Sequence, residues 1–121
     1  MNRIVIKLKN KNHDFCFGLG FMGNLLEQLD CSIDELMQGI QKNPFKFIPV
    51  LMFESYAYGC TRAKAEKEYD LYSFTDVIDD EGGVVSEKVS KFLEAFTESM
   101  TKNVPKEPAK VGKKKAIQSK K

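Results

Sequence analysis

Residues 44–69 constrain the fold more than any other stretch of this chain. Ile48, Leu51, Met52, Ser55 and Gly59 fall on one stripe at helical spacing. Phe45, Val50, Phe53, Ala57 and Tyr58 lie off that stripe and are equally apolar. A helix at a protein surface hides one face, whereas a helix apolar on every side needs cover on every side. The rest of this chain or a second chain must supply that cover. From Arg62 to Glu68 the sequence turns charged, so the helix, expected over 46–69, reads as a post with a buried root and a wetted tip. Pro49 either kinks the root or marks the true start of the helix.

The N-terminal residues alternate. Ile4, Ile6 and Leu8 share one side, and Arg3, Val5, Lys7 and Lys9 the other, as in a half-buried strand. Asn10 to Asp14 reads as a polar turn, which would leave His13, the sole histidine, in water. Phe15 and Phe17 share a face of the returning strand, completing a hairpin over 3–17. A lone hairpin is marginal in water, so its apolar face must rest on helices. Gly18, Gly20 and Gly23 almost spell a phosphate-binding glycine pattern. They follow a hairpin strand rather than the first strand of a βαβ unit, so no nucleotide site is expected.

Phe21, Met22, Leu25, Leu26 and Leu29 mark a helix over 20–30. Ser32 and Glu35 have capping-box spacing before a helix over 33–42. Asn43-Pro44 supplies an N-cap and a first-turn proline for the central helix. Ser73 is placed to cap a short helix over 74–79, and the acidic turn Asp79 to Gly83 lacks the ligand spacing of a calcium loop. A last helix over 84–103 carries the stripe Val85, Val89, Phe92, Leu93, Phe96 and Met100. Its i,i+4 pairs, Glu87–Lys91 and Glu98–Lys102, are each worth only about 0.2–0.5 kcal/mol, so the stripe decides that it docks. The expected fold is mainly α with an N-terminal β-hairpin (α+β): one small domain, 1–104, around a long central helix.

The net charge of +2 divides unevenly. Residues 105–121 hold seven Lys and one Glu, while residues 1–104 hold 12 basic and 16 acidic side chains. The tail has too little apolar content to order itself and is expected to be disordered. A nucleic-acid-binding domain carries its basic patch on the fold itself, so an acidic body argues against that partner. Cys16, Cys31 and Cys60 are odd in number and lack paired spacing, so free thiols are expected, with no metal and no cofactor. The nearly uncharged run Phe47–Phe53 falls well short of the roughly 20 residues of a membrane span. No signal peptide is legible, and a cytosolic protein is expected. With one histidine and no nucleophile–base spacing, an enzyme is not expected.

Taken in order, these features resemble the tail assembly chaperones of long-tailed bacteriophages. The stretches that carry the likeness are the hairpin running into Phe17-Gly18-Leu19-Gly20-Phe21 and the Asn43-Pro44 entry to a central helix with Tyr56, Ala57 and Gly59. Phe74-Thr75, Val77 and Ile78 before the acidic turn, and the last helix with Phe92 and Phe96 before a Lys-rich tail, complete it. The resemblance implies a non-catalytic assembly factor of the host bacterial cytoplasm, absent from the finished virion. Such a factor binds the tape measure protein, and often the tail tube protein. It also implies a programmed frameshift near the end, where Val111, Gly112, Lys113, Lys114 and Lys115 sit; a solubilising basic tail reads equally well. Apolar residues off the main stripe nominate Phe45, Phe47, Phe53, Tyr56 and Tyr58 as contacts with partners or with a second copy in a homo-oligomer. The alternative is a small nucleic-acid-associated or adaptor protein that works through the tail, with salt-dependent binding.

Overall fold

The structure, a computed structural model, describes the backbone of residues 3–103 and the side chains of residues 3–100. The tail over 105–121 lies outside the described residues, as does the Lys102 side chain expected to pair with Glu98. The chain is mainly helical behind an N-terminal hairpin, as its patterning predicts. Strands β1 (Arg3–Leu8) and β2 (Lys11–Cys16) lead to helices α1 (Leu19–Leu29) and α2 (Ile33–Lys42). Then come α3 (Pro44–Ala63), α4 (Leu71–Asp80), a 3-10 turn (Gly83–Val85) and α5 (Glu87–Asn103).

The hairpin turn is tighter than expected. Lys9 and Asn10 alone make it, both at positive φ (52° and 66°), which matches the twist of the flanking strands. The Lys9 N–H donates to Glu81 Oε2 at 3.2 Å, and its ammonium meets Asp80 at 3.0 Å. The acidic turn after α4 thus holds the hairpin tip. Pairing runs from Leu8↔Lys11 to Arg3↔Cys16, and this register places His13 opposite Ile6 inside the sheet rather than in a loop.

Helix α2 opens with the expected capping box: Ser32 Oγ accepts from the Glu35 N–H at 3.1 Å, and Glu35 Oε1 from the Ser32 N–H at 2.8 Å. Helix α3 is continuous through Pro49. It does not reach residue 69. Lys64 adopts a left-handed conformation (φ 55°), and the Ala65 N–H closes back on the Cys60 carbonyl at 2.9 Å, as in a Schellman end. The charged residues beyond Ala63 therefore return along the helix. Tyr56 Oη accepts from the backbone N–H groups of Glu68 (2.6 Å) and Tyr69 (3.2 Å), and Lys11 pairs with Glu68.

Helix α4 also begins earlier than expected. Asp70 is the N-cap and Ser73 its reciprocal partner, at 2.8 and 3.0 Å, so the helix gains a turn before residue 74. Gly82 (φ 117°) and Gly83 (φ 78°) break the chain after α4. Val85 falls in the 3-10 turn, 90% exposed, and not on the stripe of α5, which starts at Glu87. The expected Glu87–Lys91 pair is present at 3.9 Å.

The core lies between α3 and the inner face of the hairpin, closed by α4 and α5. Phe15 meets Phe92 at 5.7 Å and Phe74 at 6.1 Å between ring centroids, and Phe17 meets Phe92 at 5.5 Å. Each fully buried Phe of this aromatic layer contributes roughly 1.5–3 kcal/mol through burial. Helix α3 touches β2, α1, α2, α4 and the 3-10 turn. The cover that its all-round apolarity requires comes largely from its own chain.

Candidate partner surface

The five aromatic residues nominated on α3 divide sharply. Tyr56 is 2% exposed, stacked on Phe74 at 5.4 Å, and its hydroxyl holds the return loop. Phe53 meets Phe74 edge-on at 5.8 Å. Phe47 packs against Gly39, where an added Cβ would stand 2.5 Å from the ring. Tyr58 covers the glycine turn before α1: a Cβ on Gly20 would come within 3.2 Å of its hydroxyl. Gly18 and Gly20, two of the three glycines that echo a phosphate loop, thus lie against a tyrosine. Tyr56 is core, and Phe47, Phe53 and Tyr58 are half-buried against neighbouring elements; their rings hold the fold together.

Phe45 differs. It stands 80% exposed in the first turn of α3, directly after Asn43-Pro44. It borders a hollow of about 230 Å³ whose walls include Pro49, Ile78 and Val84 and whose polar lining includes Asp76 and Asp79. Val85 follows Val84, and Tyr72, 87% exposed, lies one helical turn before Asp76 on α4. Sequence reasoning missed Tyr72 and Val85. The available signals were the glycine pair that removes Val85 from α5, and the phase of Tyr72 against buried Phe74, Val77 and Ile78. An apolar hollow with carboxylates at its edge suits an apolar side chain flanked by basic ones.

A second cluster surrounds His13, which the turn expected over Asn10 to Asp14 had placed in solvent. The structure buries it to 7% exposure between Tyr56 and Tyr69, edge-on to each at 5.7 Å. Its Nε2 is buried and has no hydrogen-bond partner among the described residues. Burial is the main cause that lowers the His13 pKa from its usual 6.5, with Lys11 adding and Glu68 and Asp14 opposing. His13 lines a cavity of about 260 Å³ together with Tyr56, Cys60 and Glu68. Burial also pushes the Cys16 and Cys31 thiols up, which disfavours the thiolate. All three cysteines are free. Among the described residues, no group of three His, Cys, Asp or Glu is placed to hold a metal ion, and no helix is long and apolar enough to cross a membrane. Val111 to Lys115 lie outside the described residues. Comparisons of this chain with family models, curated proteins and solved structures match nothing.

Proposed function

We propose that this protein is a tail assembly chaperone of a long-tailed bacteriophage. It works without catalysis in the host cytoplasm, binding the tape measure protein, the tail tube protein or both while the tail is built. The observation that carries the reading is exposed Phe45 at a hollow walled by Pro49, Ile78 and Val84 and lined by Asp76 and Asp79, with exposed Tyr72 one helical turn before Asp76 and exposed Val85 next to Val84 in the chain. Exposed apolar groups gathered around a hollow and rimmed by polar ones mark interaction sites. A long helical partner would lay an apolar side chain into the hollow and basic ones beside the carboxylates, in the helix-in-groove mode. Self-association into a homo-oligomer would use the same surface. The test is co-purification with the tape measure protein encoded in the same genome. Phe45→Asp and Tyr72→Asp should each abolish capture while circular dichroism and melting stay unchanged; capture at the unsubstituted level would overturn the site. The coding sequence across codons 110–121 tests the frameshift, which requires a slippery run at the Lys codons and an open −1 frame.

The uneven charge distribution favours a second reading, a nucleic-acid-associated or adaptor protein working through residues 105–121. It predicts binding that weakens steeply with salt and vanishes when those residues are deleted.

A further inference from the structure

The two-stranded sheet has two edges, and the chain treats them differently. In an antiparallel pair, alternate residues exchange their backbone hydrogen bonds inward and the others point theirs outward. A two-residue turn makes Leu8↔Lys11 an inward pair, so Ile6↔His13 and Ile4↔Phe15 are inward as well. The outward groups are those of Arg3, Val5 and Lys7 on β1, and of Asn12, Asp14 and Cys16 on β2. Helix α3 closes the β2 edge. Ser55 Oγ donates to the Cys16 carbonyl at 2.9 Å, and Gly59 sits against the Asp14 carbonyl.

At its turn end the β1 edge is closed by Lys88, whose Nζ donates to the Lys7 carbonyl at 2.6 Å. Among the described residues, no hydrogen bond from outside the hairpin reaches the backbone of Val5. Between Ile4 of β1 and α5 lies an open trough of about 880 Å³, bordered on α5 by Leu93 and Ala95 and by the charged Lys91, Glu94 and Glu98. An exposed strand edge is a template for another strand.

We propose that β1 takes an extended segment of another protein as a third strand, one that alternates acidic, apolar and acidic residues on its outer face. Charge selects this occupant. The outer face of β1 presents Arg3, Val5 and Lys7, two cations flanking a valine; Arg3 pairs with Asp14 of β2 at 3.4 Å while its side chain stays about half exposed. Opposite charges facing each other across a strand pair stabilise it, and like charges destabilise it. A second copy of this chain, paired antiparallel through all three outward residues, would set Arg3 against Lys7 of the other copy and Val5 against Val5. That like-charge pairing disfavours self-association here. The inference rests on the hairpin register and stands apart from the assembly reading above.

The experiment uses the full chain and two fluorescein-labelled peptides, with cores Glu-Val-Ile-Val-Glu and Lys-Val-Ile-Val-Lys. The acidic peptide should bind saturably, at least tenfold tighter than its basic twin, and should slow amide exchange at Val5. Val5→Pro removes an outward N–H that the hairpin does not use, and should weaken binding tenfold or more. Lys7→Glu, which leaves every backbone group in place, should weaken the acidic peptide and favour the basic one. Binding without protection of the Val5 amide would signify attraction to the Lys-rich tail and would overturn the proposal. So would equal affinity for the two peptides, or a dimer in sedimentation that Val5→Pro dissolves.

Discussion

Gly59 of α3 lies so close to the Asp14 carbonyl of β2 that a Cβ built on it would stand 2.5 Å from the oxygen. The contact is backbone against backbone, so neither side yields by a rotamer change. Gly59→Ala should therefore destabilise the protein. Overpacking costs about 1–3 kcal/mol, against roughly 1 kcal/mol gained from alanine in a helix. Gly23 in α1 has nothing within 4 Å of its Cβ position, so Gly23→Ala should stabilise by about 0.5–1 kcal/mol. Urea midpoints of the two variants should move in opposite directions.

Tyr56→Phe keeps the ring stack on Phe74 and removes the acceptor for the Glu68 and Tyr69 N–H groups. A net hydrogen bond is worth about 0.5–1.5 kcal/mol. The loss should appear first as faster amide exchange at residues 68 and 69, with a smaller fall in the melting temperature.

Stability should depend on pH through His13. Its pKa is lowered in the fold, so the unfolded chain takes up the proton more readily. The contribution is complete above the ordinary value of about 6.5 and is lost as pH falls through the lowered folded value. Glu68 and Glu81, lowered by Lys11 and Lys88, act in the same direction but below the ordinary Glu value of 4.5. His13→Phe should flatten the curve just below pH 6.5 and leave the more acidic limb in place, as read from urea titrations across that range.

Phe92→Ala should be severe. The ring lies in contact distance of Phe15, Phe17 and Phe96, and its removal costs about 3–5 kcal/mol. By contrast Phe45→Ser, at an exposed position, should change stability by no more than about 0.5 kcal/mol. Melting curves of the two variants separate a core aromatic from a surface one.

The hairpin faces, the Ser32–Glu35 box and most of the α5 stripe were legible because each is a local pattern with a fixed period or spacing. The end of α3 was not, because the residue that turns left-handed there is Lys64 rather than a glycine. His13 misled because Lys9-Asn10 makes a two-residue turn without the usual Asn-Gly signature, drawing the polar residues after it into the strand. Asp70 and Ser73 are both capping residues, and only the geometry assigns which begins the helix. On α3, periodicity reported that every side was apolar. It did not report that glycines on α1, α2 and β2's partner face made room for the same chain to cover most of it, leaving Phe45 outside.

The hairpin leans on the last helix, and that ordering has a consequence during synthesis. Phe17 leaves the ribosome about 75 residues before Phe92, the ring that covers it. At roughly 5–20 residues per second the hairpin waits about 4–15 s for its lid. Through that interval the nascent chain holds Phe15 and Phe17 without their α5 partners, so the full aromatic layer closes only once α5 itself has been made.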